Sequence, residues 1–396
     1  MVSETDTAST ERDEEEESRS DVAKALSGAL QSSKFEPDGM ALACSGGGYK
    51  SGAYQLGTFI RMNELGMLPK LKRITSVSGG SITAAFLGLK WKDLDWKDGV
   101  AANFADVVTA PLTHFFTTVT LDEPNIARGL VPGLNAGEGL IAGYRKHLFG
   151  DATLQDFPDD ETAPRFTILA TDFELNTLWR FSRPYAANYR VGRVDRPDFP
   201  LAQMVAASSG FPPFFCPIKL DLKSQPLTKQ GGEDAHHAPY TERALLADAG
   251  IYDNLGLEPI WKRFGVLLVS NAGDPASADT EPQWWGKTAR RALSLVHRQA
   301  ENNRVRWLIS LAQAGERKLA YFPLRGDVSD FPAGGGFSLS KVDAESARQE
   351  AVRLKAMKAP NFERLVRHGY SMSNAAIAMY LPQQRAKVPH WPILPL

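Results

Sequence analysis

The stretch Ile74-Thr75-Ser76-Val77-Ser78-Gly79-Gly80-Ser81-Ile82-Thr83-Ala84-Ala85 passes from a β-branched segment through two glycines into a run of small and apolar residues. That order predicts a strand, a sharp turn and a helix, with the Ser78 hydroxyl at the apex. Gly79 and Gly80 let the backbone double back and keep side chains away from an approaching carbonyl carbon. The helix behind them sets its positive N-terminus beneath the Ser78 oxygen, which makes Ser78 a candidate nucleophile. The Gly-x-Ser-x-Gly elbow pattern is met except at its first position, where Ser76 stands. An ordinary strand-to-helix connection has the same composition, so other stretches must decide.

A second segment repeats the logic. Met40 to Cys44 reads as a short buried strand leading into Ser45-Gly46-Gly47-Gly48-Tyr49-Lys50-Ser51-Gly52 and a helix through about Glu64. Three adjacent glycines before a helix expose a row of backbone N–H groups that can hold an anion. Tyr49 separates the last glycine from Lys50, which breaks a nucleotide-binding loop, and Ser51 stands where a dinucleotide fingerprint needs glycine. An oxyanion hole or a structural tight turn remains. Leu71 to Val77 is the following strand, so the unit is a right-handed βαβ arrangement in which both loops leave the carboxyl ends of neighbouring parallel strands.

The third segment is Leu245-Leu246-Ala247-Asp248-Ala249-Gly250-Ile251-Tyr252-Asp253-Asn254-Leu255-Gly256. A short apolar strand ends on an acid there, which puts Asp248 at a strand's carboxyl end, on the rim assigned to Ser78 and the glycine loop.

Composition narrows the class. With 396 residues, 43% hydrophobic and 23% charged, the chain is an ordinary globular protein of one large α/β domain with additions, or of two domains. A net charge of −1 gives no basic field for nucleic acid. Two cysteines, Cys44 and Cys216, make no disulfide framework and fit a reducing compartment. No apolar run reaches the roughly 20 residues of a membrane-spanning helix, and no secretory signal opens the chain. A cytoplasmic location is expected, with any membrane contact peripheral. Met1 to about Pro37 carries Glu11-Arg12-Asp13-Glu14-Glu15-Glu16-Glu17 and little apolar surface, so it is expected to be a disordered acidic tail with at most a short helix over Val22 to Leu30.

Between these landmarks, Trp91 to Gly150 is expected to form helices and loops over the site, with Phe115 and Phe116 assigned to core packing in preference to an acyl-chain pocket. Phe166 to Asp172 and Thr177 to Ser182 read as strands, and Leu201 to Ser209 as a small-residue helix stopped by Gly210-Phe211-Pro212-Pro213-Phe214-Phe215. That apolar loop is read either as touching lipid or as a buried corner. His236-His237 lies in a polar stretch, Ser224 to Tyr240, without further metal ligands nearby, and is read as surface loop. Glu258 to Phe264 is expected to be a helix and Gly265 to Ser270 a strand. Beyond Asp274 helices are expected over Ala289 to Leu311, Glu345 to Leu365 and His368 to Leu381, with Ala333 to Phe337 a flexible loop.

Taken together, Ser45-Gly46-Gly47-Gly48-Tyr49-Lys50, Ser76-Val77-Ser78-Gly79-Gly80, Ala207-Ser208-Ser209-Gly210-Phe211-Pro212, Asp248-Ala249-Gly250 and Tyr252-Asp253-Asn254-Leu255-Gly256 resemble the patatin-like phospholipases in order and context, over roughly Met40 to Val269. The resemblance implies a three-layer α/β/α fold with a mostly parallel central sheet plus C-terminal helices. It implies a catalytic domain over 38–270 and a helical extension over 271–396 packed upon it. It also implies that Ser78 is the nucleophile and Asp248 its only base, with elbow glycines Gly79 and Gly80, and with Gly46, Gly47, Gly48 and Lys50 serving the oxyanion. Lys50 stands where the family often has arginine, and Ser45 where it often has aspartate. The implied activity is hydrolysis of lipid or phospholipid acyl esters through an acyl-enzyme, without cofactor or metal and with no protein partner indicated. Two rival readings are an α/β-hydrolase with a Ser-Asp-His triad, using His297 or His368, and a non-catalytic lipid-binding module.

Overall fold

The computed structural model describes residues 35–129, 135–273, 284–332, 336–384 and 387–395. The acidic tail, including Val22 to Leu30, lies outside the described residues, as does most of the Ala333 to Phe337 loop. The chain divides into Met1–Glu36 and Pro37–Leu396, and the second unit is the one described below.

One sheet organises this unit. In chain order its strands are β1 (Glu36–Cys44), β2 (Leu71–Ser76), β3 (Arg165–Asp172), β4 (Thr177–Phe181), β5 (Tyr185–Asn188), β6 (Gly192–Asp195), β7 (Ile218–Asp221), β8 (Leu227–Thr228), β9 (Arg243–Asp248), β10 (Phe264–Asn271) and β11 (Lys318–Pro323). In space the order is β8-β6-β5-β4-β3-β2-β1-β10-β11, and β9 pairs with β3 and β7. The centre is parallel, with β2 on β1, β3 on β2 and β11 on β10. An antiparallel meander, β3 to β6, extends one side.

Alternation along the central strands separates two cores, because successive side chains point to opposite faces of a strand. Leu42 and Cys44 of β1, with Val266 and Leu268 of β10, face one core. Ala41 and Ala43, with Leu267 and Val269, face the other. The larger core takes helices α1 (Gly48–Glu64), α2 (Gly79–Lys90) and α3 (Leu201–Ser209) through residues such as Phe59, Phe86 and Met204. The smaller takes Leu255, Ile260 and Leu308, the last from α4 (Trp285–Gln313). The result is helix, sheet, helix, as the resemblance implies. Phe115 and Phe116 are buried against Tyr49, with ring centroids 5.3 and 5.1 Å away, and belong to the larger core. Among the described residues no helix is long and apolar enough to cross a membrane.

Three expectations need correction. Glu258 to Phe264 is a succession of turns, since the segment contains Pro259 and enters the buried strand β10 at Phe264. The helix expected over Glu345 to Leu365 is two, Lys341–Gln349 and α5 (Ala359–Tyr380), with a non-helical segment between. Pro360 lacks an N–H and sits in the first turn of α5, where that donor is not needed. The residues after 270 are also not a helical addition. They supply β11, whose alternation Leu319-Ala320-Tyr321-Phe322 pairs with Leu267 to Ser270, and α5, whose Phe362 and Leu365 complete the larger core.

Candidate active site

β1 and β2 are parallel neighbours, so the glycine loop after Cys44 and the turn after Ser76 leave the sheet side by side. β9 reaches the same place from the opposite direction. Residues 168–172 of β3 already carry β4 on one edge. β9, which pairs with 170–172, must therefore lie on the other edge, the one β2 occupies as far as Ile168. The two strands meet carboxyl end to carboxyl end, with Ser76 opposite Ile168 and Asp248 opposite Ala170. The rim position expected of Asp248 is reached, but by an antiparallel strand.

Ser78 is the apex. Its backbone has φ 51° and ψ −124°, a conformation that costs a residue with a Cβ about 1–3 kcal/mol and persists only where the surroundings hold it. They do so here: the Ser78 N–H donates to Ser208 Oγ at 3.0 Å, and Ser208 Oγ bonds Ser81 Oγ at 2.9 Å. Ser76, the departure from the elbow pattern, accepts from Ser81 Oγ at 3.0 Å, so the extra hydroxyl joins this serine network beneath the turn.

The Ser78 side chain stands beside the Asp248 carboxyl, close enough to lower its pKa, and both line one cavity. Asp248 is almost fully buried, and its Oδ1 accepts the Gly250 N–H at 2.7 Å. Its own N–H donates to Gly210 O at 3.1 Å, and its carbonyl accepts Thr171 Oγ1 at 2.8 Å. Burial pushes the carboxyl up, Ser78 and the Gly250 N–H pull it part of the way back, and the balance is about 7. A carboxylate in this state is a far better proton acceptor than one in water.

The glycine loop lies against this pair. A Cβ on Gly79 would overlap the carbonyl oxygen of Gly48, and one on Gly80 would come within 2.6 Å of Ser45 O. Gly48 itself has φ +58°. The Gly46 N–H is committed to Asn254 O at 3.0 Å. The N–H groups of Gly47 and Gly48 donate to no group among the described residues, so two of the three expected donors remain available. Lys50 is elsewhere: it is buried and its Nζ donates to Arg348 O at 2.7 Å. It is absent from the residues lining the cavity, so its charge does not face the site.

Gly46, Gly47, Gly48, Ser78 and Asp248 open into one cavity of about 1120 Å³. Phe211 and Phe214 line it and are also exposed, whereas Phe215 is buried, so the apolar loop after α3 is both rim and corner. Across from it Lys287, Arg291, His297 and Arg298 of α4 reach the same space. His297 makes no hydrogen bond to Ser78 or Asp248. His368 is buried in α5, with Nε2 2.8 Å from Leu324 O. His236 and His237 bond backbone carbonyls through Nδ1, and no group of three or more His, Cys, Asp or Glu able to hold a metal occurs among the described residues.

Sequence reasoning missed a strap, Val352-Arg353-Leu354, that lines the cavity. Arg353 O accepts the Tyr49 N–H at 2.9 Å, and its guanidinium pairs with Asp122 at 2.8 Å. No periodicity marks a non-helical segment between two helices; Pro360 is the single local sign of a break.

The family model for Patatin-like phospholipase matches residues 42–261. The chain belongs to the patatin-like phospholipase family. That span holds every residue of the site named above except α4 and the strap. Among solved structures the chain is similar to human GIVD cytosolic phospholipase A2, with 13% identity, TM-score 0.53, and coverage of 92% of this chain and 63% of that one. It is also similar to the same human protein in complex with methyl gamma-linolenyl fluorophosphonate, with 16% identity, TM-score 0.50 and coverage of 92% and 62%. These likenesses bear on the fold, and the chain spans less than two thirds of the human protein's length. No curated protein matches it.

Proposed function

We propose that this patatin-family protein is a lipid acyl hydrolase that cleaves carboxylic esters with Ser78 as nucleophile and Asp248 as its base. The observation that carries the reading is Ser78 beside a buried carboxyl whose pKa it lowers, in one cavity with the N–H groups of Gly47 and Gly48, which donate to no group among the described residues.

A serine hydroxyl attacks an ester poorly until its proton is taken. Asp248, raised toward 7 by burial, accepts that proton as Ser78 Oγ bonds to the carbonyl carbon. Negative charge gathers on the former carbonyl oxygen, where the Gly47 and Gly48 donors are fixed in advance, and each such donor contributes about 3–4 kcal/mol to lowering the barrier. Collapse expels the alcohol with the proton held by Asp248 and leaves an acyl-Ser78 ester. Water then repeats the sequence with Asp248 as base and frees the acid. The cavity's apolar Phe211 and Phe214 suit an acyl chain, and its cationic side suits a phosphate-bearing alcohol, so glycerophospholipids are the favoured substrates.

The human structure holds a lipid-like fluorophosphonate, and the same reagent class is the direct test. Folded protein treated with it is expected to gain one adduct at Ser78 by peptide mass mapping, with none in Ser78→Ala. Hydrolysis of phospholipids, lysophospholipids and neutral glycerides, read by product mass, then identifies the ester cut. Absence of an adduct in folded protein, together with binding of lipid but no turnover, would replace this reading with that of a lipid-binding module.

A further inference from the structure

α4 changes character along its length. Its second half is anchored in the ordinary way: Val305 and Leu308 face the smaller core, and Trp307 meets Trp261 with ring centroids 4.2 Å apart. On the first half the polarity is reversed. Lys287, Arg291, Ser294, Arg298 and Glu301, three or four residues apart and therefore on one stripe, face the catalytic cavity. On the opposite stripe Trp285, Ala289, Ala292, Leu293, Val296 and Ala300 are exposed. Trp285 is 82% exposed, Leu293 71% and Val296 69%. A helix that only roofed a cavity from water would turn these residues inward, since burying a Leu or Val side chain is worth roughly 1.5–3 kcal/mol.

The charge on the same segment selects what covers that face. From Trp284 to Ala300 there is no Asp or Glu, while Lys287, Arg290, Arg291 and Arg298 are all cationic, in a chain whose net charge is −1. An apolar stripe bearing tryptophan, backed by a basic stripe, is the pattern of a helix lying in the plane of an anionic bilayer. The rings of Phe211 and Phe214, also exposed, stand at the rim of the same cavity.

We propose that the outer face of residues 285–300 docks on an anionic lipid bilayer, so that the cavity holding Ser78 opens beside the surface. The choice of a bilayer over another apolar partner rests on the lipid-hydrolase reading; the binding itself does not need catalysis.

The full chain is mixed with vesicles of phosphatidylcholine alone and with vesicles containing about one third phosphatidylglycerol, and bound protein is measured by flotation. Binding is expected on the anionic vesicles and weakened by salt. Leu293→Glu with Val296→Glu is expected to lower the apparent affinity at least about tenfold, and Trp285→Ala several-fold. All three positions lie outside the cavity lining, so hydrolysis of a short, monomeric ester is expected to stay at the parent rate, which also reports correct folding. Ser78→Ala is expected to bind as the parent does, so loss of catalysis and loss of docking are read separately. Equal flotation of parent and Leu293→Glu/Val296→Glu, or no flotation of the parent, overturns the proposal. Parent protein that sediments as a dimer, becomes monomeric in the double variant and ignores vesicles assigns the face to a second copy of the chain instead.

Discussion

Gly79 lies against the carbonyl oxygen of Gly48 so closely that neither side chain nor water fits between them. The turn that presents Ser78 and the glycine loop, the proposed source of anion donors, are thereby packed backbone to backbone. Gly79→Ala is expected to force them apart, with about 2–4 kcal/mol of lost stability and at least about a hundredfold loss of ester hydrolysis. Urea unfolding and kcat/KM on a soluble ester measure the two, and an active, stable alanine variant would refute the contact.

Removing either half of the dyad is expected to abolish turnover while leaving the fold intact. Ser78→Ala and Asp248→Asn should each reduce kcat by about 10³ or more, and the double variant should lose little beyond the worse single one, because the two act as a unit. Losses that simply multiply would mean that the carboxylate acts elsewhere.

As the proposed base, Asp248 can act only when ionised. With its carboxyl raised to about 7, kcat/KM is expected to climb with pH and level off above that value. The same shift has a stability sign. The folded state holds this proton up to about pH 7, whereas the unfolded chain releases it near its ordinary 3.8. Stability therefore declines as pH rises between those values and stays reduced above them. Asp248→Asn removes that penalty and is expected to be more stable than the parent by roughly 2–4 kcal/mol at pH 8, with the difference vanishing near pH 3. A parent that is the more stable at pH 8 would contradict the buried, proton-hungry carboxyl.

His297 reaches the cavity without bonding to either partner of the dyad. His297→Gln is expected to change kcat/KM by less than about tenfold, against the thousandfold loss expected at Asp248. Equal losses would restore a histidine to the chemistry and favour a triad.

Lys50 ties α1 to the carbonyl of Arg348. Lys50→Met leaves that carbonyl unsatisfied and is expected to cost about 1–3 kcal/mol in chemical denaturation. Its effect on kcat is expected to be far below that of Ser78→Ala, and a comparable effect would put the ammonium back among the oxyanion donors.

The elements that the sequence made legible are those with local causes. The β1 loop, the Ser78 turn, α3 and the end of β9 all carry small residues at tight turns, and each lies where the motifs set it. What escaped were long-range partners. Nothing near Gly46 tells that its N–H goes to Asn254, and nothing near Lys50 tells that Arg348 waits almost three hundred positions later. The antiparallel arrival of Asp248 was hidden for the same reason: a strand's direction depends on which neighbour it pairs with, and β9 reads the same locally either way. β11 was lost among helices because its six residues are half exposed and follow a long helical run.

The strap has a consequence for biosynthesis. Arg353 O holds Tyr49 just beyond the glycines, and Lys50 reaches Arg348, so the glycine loop is braced by residues made about three hundred positions after it. A nascent polypeptide that has emerged only through β10 already contains its serine and its aspartate, yet it lacks both braces. On the proposed mechanism, competence arrives only after translation has passed residue 353, and a product terminated before it would carry Ser78 and Asp248 without the scaffold that holds the glycine loop.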